Sequence, residues 1–573
     1  MLGNAEIARK LNEIRTLMEL AGEPFYKFMA YERAATAVEN APPVSQLARE
    51  ELQKLPGIGK SIAATIAELC NSGDCSLLTE LHARFPPTIF EVLSVSGIGT
   101  KTAAILFEQY GIGSVEDLEA AIDAGSLSGA PRMGPKTLEN IRRGILAYKG
   151  RTHRTPLAVA LAIAAETLEY LRRRVPLDRI SFAGSVRRAE ATVGDIDIVC
   201  TSIDAPSVIQ NFVSWDRARA VLADGPTKGT IWLDGGLQID LRVLPDELYG
   251  NLLQHFTGSR EHNIQLREYA VRKGLRVSEN GILELESGRT IICRTEAEVY
   301  EALSMQFIPP EMRSGTGEIE AARERTLPTV IELGDLRGDF HMHSTWSDGR
   351  NSLEEMIAAA AQRGYAYHSM SDHSQGRGRI GLSPERLLSQ RDVIAGIAQR
   401  HGITTLCSSE VDIRADGSLD FDDATLEKLD IVVGSVHSAM HQSKEEMTRR
   451  LIRACESPYL NIIGHPTGRM IGHSPGYEYD FDAVFAAAAR TGTALEIDGQ
   501  GKRLDLPAAL ARRAKEFGIV FTVDSDAHDV AGLNNVALAV TQARRAWLRP
   551  ADVLNTWPLQ DVRAFVQRKR AQQ

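Results

Sequence analysis

From residue 338 onward the chain repeats one pattern at intervals of about 30 residues: a short apolar run that ends in a histidine or a carboxylate. The runs cover 338–343, 366–373, 404–410, 431–437, 460–465, 494–498 and 519–528, with helical stretches such as 353–362 and 481–490 between them. No other feature limits the possible folds so strongly. Strands alternating with helices at this period predict βαβ units, because parallel strands are joined through crossovers long enough to hold a helix. Seven units make a (β/α)7-type barrel, one short of eight, with its functional groups at the C-terminal strand ends.

The barrel occupies less than half of 573 residues. At roughly 100–200 residues per domain, the chain has room for about three to five domains. Average glycine and cysteine usage, 47 and six residues, excludes collagen-like and disulfide-scaffold classes. No apolar run reaches the ~18 residues of a membrane span, and the first residues lack a signal-peptide core. Cys70, Cys75, Cys200, Cys293, Cys407 and Cys455 form no CxxC pair, so reduced thiols in a cytoplasm are expected. The net charge of −10 argues against a nucleic-acid partner only as a global figure. Between 132 and 188, Lys and Arg outnumber Asp and Glu about three to one, a local basic stretch suited to a phosphate backbone.

Residues 1–80 read as helices, with Ile7, Leu11, Ile14, Leu17 and Met18 at helical spacing. Leu55-Pro56-Gly57-Ile58-Gly59-Lys60 opens one apolar helix, and Val95-Ser96-Gly97-Ile98-Gly99-Thr100-Lys101 opens another about 40 residues later. A looser copy stands at 131–136. The glycines allow a tight turn with φ > 0, and the helix that follows offers N–H groups to a phosphate, with Lys60 and Lys101 nearby. A single copy is weak evidence, since Gly-x-Gly turns end many helices; two clear copies resemble helix-hairpin-helix motifs, which grip DNA backbone without reading sequence.

The middle region has strand character at 180–184, 195–200, 230–233 and 237–244. Positions i and i+2 of a strand share a face, so Asp195 and Asp197 converge, and Asp240 lies on another strand with apolar neighbours on the opposite face. Carboxylates gathered on one sheet repel unless cations separate them. Two Mg²⁺ or Mn²⁺ ions about 3.5–4 Å apart would suit in-line phosphoryl transfer. Gly184 and Ser185 can approach a triphosphate and Arg188 can neutralise it.

The stretches GSVRRAEATVGDID at 184–197 and FTGSREHNIQLR at 256–267 closely resemble DNA polymerase family X, of the polymerase β type. The resemblance runs from the N-terminal helices to about residue 310. It implies that Asp195 and Asp197 hold both metals and that Asp240 helps activate the primer 3′-hydroxyl. Gly184, Ser185 and Arg188 would contact the triphosphate, while Phe256, Gly258, Asn263 and Arg267 would line the nucleotide and template pocket. Gly57, Gly59, Lys60, Gly97, Gly99 and Lys101 would touch DNA backbone. Two positions depart from the family: His255-Phe256 replaces the usual Tyr-Phe pair near the sugar, and Thr65 stands where lyase members carry a Schiff-base lysine. A Schiff base needs a primary amine, so no lyase reaction is expected by that route.

Most histidines after residue 340 stand at or beyond an apolar run: His341, His343, His373, His437, His465 and His528, with Asp348, Glu410 and Asp526. A lone histidine is usually a satisfied polar group. Imidazoles and carboxylates from six strand ends of one barrel instead suit Zn²⁺, Mn²⁺ or Fe²⁺. The set resembles the polymerase and histidinol phosphatase (PHP) domain over 336–573, with all nine ligand positions of its trinuclear form filled. The resemblance implies one metal on His341, His343, Glu410 and Asp526, a second on Glu410, His437 and His465, and a third on Asp348, His373 and His528. His368, His401, His441 and His473 remain outside this set, and Arg469 and His473 could reach a phosphate.

The expected architecture is thus multidomain α/β. A helical DNA-binding domain (1–80) precedes a helical fingers-like domain (81–152), both with hairpins. An α+β nucleotidyltransferase palm (153–245), a thumb-like domain (246–315), a linker (316–335) and the PHP barrel (336–573) follow. The resemblance implies a repair polymerase that fills short gaps in gapped or nicked DNA from deoxynucleoside triphosphates; no oligomer signal is visible in the sequence, and a monomer is expected. Its barrel would trim 3′ ends as a metal-dependent 3′–5′ exonuclease, 3′-phosphatase or abasic-site endonuclease. A histidinol-phosphatase-like phosphomonoesterase with a DNA-binding adaptor, and a DNA-binding scaffold without catalysis, are the alternatives.

Overall fold

The computed structural model describes residues 3–571 apart from 40, 42, 56, 96, 132, 153, 234 and 235. Pro56, Ser96 and Arg132 of the three hairpin motifs therefore lie outside the described residues. The chain forms two compact units, 1–153 and 154–573.

The first unit is helical around its own core. Helix Asn4–Leu20 buries Ile7, Leu11, Ile14 and Leu17 at the expected spacing, against Ala34, Val38, Ile66, Leu78 and Leu106. Helices Lys60–Ser72 and Thr100–Tyr110 start directly after Gly59 and Gly99. Gly57 and Gly97 adopt φ of +81° and +95°, which a Cβ-bearing residue rarely enters. Between each glycine pair a buried isoleucine (Ile58 or Ile98) pins the turn to the core. The third copy closes the same hydrogen bonds. Met133 N donates to Ala130 O and Leu138 N to Gly134 O, as Ile58 N does to Leu55 O and Ala63 N to Gly59 O. The looser sequence at 131–136 therefore builds the same turn, and opens helix Pro135–Thr152. Thr65 is buried, its hydroxyl donating to Ser61 O.

The second unit begins with a short strand, Thr155–Pro156, paired with Thr192–Val193, followed by helix Leu157–Arg174 on a five-stranded sheet of order Arg179–Phe182, Asp195–Thr201, Gln238–Leu244, Lys228–Leu233, Ala218–Asp224. The strand expected at 180–184 stops at Phe182, and Gly184–Arg187 makes a helical turn instead. Strand Gln238–Leu244 alternates in burial, with Ile239, Leu241 and Val243 in the core and Asp240 on the other face. A thumb-like region follows, with helices Tyr249–Thr257, Arg260–Arg272 and Glu296–Ala302 and a small antiparallel sheet. Buried Glu296 pairs with Arg313 at 2.7 Å and with Arg187 at 2.5 Å, tying the turn after Gly184 to this region.

The segment expected as a linker is packed. Ile319 and Ala322 of helix Glu318–Glu324 join the core around Met312 and Tyr300, while Ile331 enters the barrel core. Its apolar residues outweigh its charged stretch once neighbours exist on both sides.

Six of the seven apolar runs form one parallel sheet in chain order: Tyr367–Met370, Thr404–Asp412, Ile431–Ser435, Ile462–Ile463, Ala494–Asp498 and Phe521–Asp524. The first run, 338–343, lies between the two edge strands. Ser369 N and Ser371 N donate to Asp339 O and Met342 O on one side, and His343 N donates to Ala527 O on the other. Side chains complete this seam, Asp524 Oδ1 accepting from Phe340 N at 2.7 Å. No helix among the described residues is long and apolar enough to cross a membrane.

Candidate active sites

Strands Asp195–Thr201 and Gln238–Leu244 run parallel with Asp195 opposite Gln238 and Asp197 opposite Asp240. Period-2 geometry puts Asp195 and Asp197 on one face, and this register brings Asp240 beside them. Burial first, and then the Asp195 and Asp240 charges, push the Asp197 carboxyl up to about 7. Asp195 is raised by burial and by Asp240. Asp240 accepts from Thr230 Oγ1 and, at 2.8 Å, from Gln238 Nε2, which fixes its direction. Gly184 has φ +54°, and a Cβ there would lie 2.0 Å from Asp197 Oδ2. Only glycine lets the main chain pass so close to the carboxylate.

Ser185 stands on the same turn, half-buried. Arg188 donates from Nη1 to Thr257 O at 2.6 Å, next to Gly258, and its buried Nε makes no hydrogen bond but lies 3.7 Å from Glu190 Oε1. The palm turn and the thumb-like helix thus meet at one guanidinium. Asn263 donates to His255 O and accepts from Gln254 Nε2, so it shapes the end of helix Tyr249–Thr257. Phe256 lies under Arg242 at 5.6 Å, His255 leans on Phe256 at 5.1 Å, and Arg267 is exposed. Burial lowers the His255 pKa, with Glu279 3.6 Å away opposing.

Five of the barrel imidazoles converge on Glu410. Its Oε1 is 2.9 Å from His465 Nε2 and 3.2 Å from His437 Nε2; its Oε2 is 2.9 Å from His373 Nδ1, 3.3 Å from His341 Nε2 and 3.5 Å from His343 Nε2. Asp526 Oδ1 approaches His343 Nε2 at 3.2 Å, and Asp348 approaches His373 Nε2 at 3.4 Å and His528 Nε2 at 3.5 Å. Three groups bring ligand atoms within reach of a common ion: His343, Asp348, His373 and His528; His341, His343 and Asp526; and His373, Glu410 and His437. His343 and His373 each belong to two of these groups, where the expected sets shared Glu410.

The donor atoms fit metal ions. His341 Nε2, both ring nitrogens of His343, His373 Nδ1 and Asp526 Oδ1 are buried without a hydrogen-bond partner, an arrangement tolerated only where something else satisfies them. Burial opposes charge on His373, but Glu410 and Asp348 outweigh it and lift the imidazole to about 10. Burial would likewise raise Glu410, yet His437, His373 and His341 hold it well below the usual carboxylate range. Protons thus supply positive charge that the carboxylates require and that bound cations would replace.

Two residues outside the expected set orient the ligands. Glu496 Oε1 is 2.6 Å from His341 Nδ1 and its Oε2 accepts from His465 N at 2.6 Å; Asp412 Oδ1 is 2.7 Å from His437 Nδ1. Leu495-Glu496-Ile497-Asp498 carries the same i, i+2 acidic signal as Asp195 and Asp197, inside a run otherwise read as apolar. Arg469 does not face the site: its guanidinium donates to the carbonyls of Arg503 and Leu504. His401 pairs with Glu354 on the surface, and buried His368 meets Thr405 Oγ1 at 2.8 Å.

Comparison with known proteins agrees with this layout. Family models match for a helix-hairpin-helix domain at 2–75, a SAM-like helix-hairpin-helix tandem at 89–145, the DNA polymerase beta thumb at 252–314 and the PHP domain at 339–497. The "DNA polymerase/3′-5′ exonuclease PolX" of Bacillus subtilis is 35% identical over 568 residues, covering 98% of this chain and 99% of that protein. Rattus norvegicus "DNA polymerase lambda" is 24% identical over 340 residues, 54% of this chain and 56% of that protein. A "Probable phosphatase" of Syntrophotalea carbinolica is 28% identical over 232 residues, 38% of this chain and 90% of that protein. With one relative matching from end to end above 30% identity, and hairpin, thumb and PHP models in the same order, the chain belongs to the family X DNA polymerases that carry a C-terminal PHP domain.

Proposed function

We propose that this chain extends DNA primers across short gaps with its palm and trims 3′ ends with its barrel. The observation that carries the reading is the presence of two separate converged ligand centres in one chain, one on the palm sheet and one around Glu410. Divalent cations, Mg²⁺ or Mn²⁺ at the palm and up to three Zn²⁺, Mn²⁺ or Fe²⁺ in the barrel, lower the pKa of bound water and neutralise phosphate oxygens.

Asp195 and Asp197 would hold the palm ions, and Asp240, aimed by Thr230 and Gln238, would take the primer-side position. The main chain at Gly184 and Ser185 and the Arg188 guanidinium would steady the triphosphate, while Phe256, Gly258, Asn263 and Arg267 form the adjacent nucleotide wall. Gly57, Gly59 and Lys60, with Gly97, Gly99 and Lys101, would hold backbone phosphates at helix starts. In the barrel, His341, His343, Asp348, His373, Glu410, His437, His465, Asp526 and His528 would hold the cations, and Glu496 and Asp412 would keep the imidazoles oriented.

Primer extension on one-nucleotide-gapped DNA, run beside 3′-end degradation, tests both halves. Asp195→Ala with Asp197→Ala is expected to abolish extension only, and His341→Ala with His343→Ala to abolish degradation only. Loss of both activities in either variant would mean one shared site. The phosphatase names of the barrel's relatives favour a second reading, phosphomonoester hydrolysis. It predicts faster release of phosphate from a 3′-phosphorylated primer than of nucleotides from a 3′-hydroxyl end.

A further inference from the structure

Beside the barrel centre lies a cleft of about 560 Å³ whose far wall is not part of the barrel. Asp348, Asp526 and His528 border it on one side, and Pro156, Ala158 and Val159 of the palm stand opposite. The two walls meet directly: a Cβ on Gly501 would lie 2.4 Å from Ala158 Cβ. We propose that this cleft seats the last one or two nucleotides of a single DNA strand, so that the palm forms one wall of the nuclease site. The inference rests on the exonuclease reading of the barrel.

Four features point to that occupant. The volume lies within the ~300–1,000 Å³ of small-ligand pockets and is far too small for a duplex. The rim carries cations: Lys502 and Arg350 are exposed on it, Arg350 sharing Asp529 at 3.5 Å, and His473, unassigned by the ligand pattern, stands there too. They match a strand's phosphates. Val159, 49% exposed at the start of an 18-residue helix, gives an apolar surface for a base or sugar, and that helix's first turn brings its positive end to the cleft. At the floor, Gln500 is 8% exposed; its Nε2 donates to Asp526 O, while its buried Oε1 has no partner. An unpaired acceptor there suits a base amino group or a terminal hydroxyl.

The test uses the full chain with Val159→Glu and Lys502→Glu, both at exposed positions. Mn²⁺-dependent degradation of a 5′-labelled single-stranded oligonucleotide is compared with hydrolysis of bis(p-nitrophenyl) phosphate, which needs only the metal-bearing floor. Each variant is expected to fall at least about fivefold on DNA relative to the small diester, the effect of removing one base or phosphate interaction, and Lys502→Arg to restore it. A parallel fall on both substrates, or undiminished DNA degradation, would overturn the inference while leaving the exonuclease reading intact. Wild-type protein that hydrolyses the small diester but does not degrade DNA would overturn that reading and the inference together.

Discussion

Asp197 shows how one carboxylate records what its site is for. Its ordinary pKa of 3.8 rises to about 7 through burial and the charges of Asp195 and Asp240. Between those values the folded chain binds a proton that the unfolded chain has released, so stability falls as pH rises through that window in the absence of a cation. Asp197→Asn removes the penalty. Without metal, the variant is expected to melt a few degrees above wild type at pH 8 but not at pH 4, at roughly 1 °C per kcal/mol for a unit spanning 154–573. Mg²⁺ should raise the wild-type Tm more than the variant's; equal melting of the two metal-free proteins at both pH values would contradict this account. Glu496 acts through another residue, holding His341 Nδ1 at 2.6 Å. Glu496→Gln is expected to weaken barrel metal affinity about 10–100-fold, the usual effect of removing such an outer partner. Metal titration followed by 3′-end degradation checks it, with primer extension unchanged. The sequence made the Asp195/Asp197 pair legible through its period-2 spacing. The same spacing at Glu496 and Asp498 was hidden by flanking apolar residues, because strand burial and ligand orientation leave one pattern.

Among the elements, helix Val536–Arg545 carries an unexpected connection. It belongs to the barrel, yet Arg545 donates to Arg188 O and pairs with Glu190 at 2.7 Å, while Gln542 Nε2 donates to Ala189 O at 2.9 Å. These hydrogen bonds hold the palm turn from which Arg188 reaches Thr257 O. Arg545→Ala is expected to raise KM for the incoming nucleotide about fivefold, near 1 kcal/mol of binding, with kcat nearly unchanged. Equal falls in kcat and kcat/KM would show that Arg545 acts only at the transition state. No sequence signal linked Arg545 to Arg188, more than 350 positions away, since a long-range pair leaves no local periodicity. Local order was legible: the hairpin glycines, the alternating strand Gln238–Leu244 and the repeat beyond 338 each follow from nearest-neighbour geometry. The first barrel run reads as a strand because it is apolar. Its place between two edges, with Asp524 completing its hydrogen bonds, depends on residues far along the chain.

At the scale of the whole molecule, the net charge of −10 and the DNA-binding reading are reconciled by where the charges sit. Six of the 75 Asp and Glu are candidate ligand carboxylates that cations would neutralise, whereas exposed Lys60 and Lys101 stand at helix starts and exposed Arg172, Arg173 and Arg174 end the first palm helix. The division between 153 and 154 leaves the hairpins in one unit and both candidate centres in the other, and each unit has its own core. Within the second unit, palm, thumb and barrel are joined by interactions that a cut at the expected linker would break, including Arg544 with Glu311 at 2.8 Å and Arg512 with Thr316 Oγ1. A chain of residues 154–573 is therefore expected to fold and to degrade single-stranded 3′ ends at near the full-length rate. Its affinity for gapped DNA should fall, and the slope of log K against log salt should shrink by about 0.9 for each phosphate that the hairpins neutralise. A cut within 316–335 should instead yield fragments that melt below the intact unit. If 154–573 bound gapped DNA with the full salt slope, the hairpins would not be the backbone grip, and the basic palm helix would have to carry it.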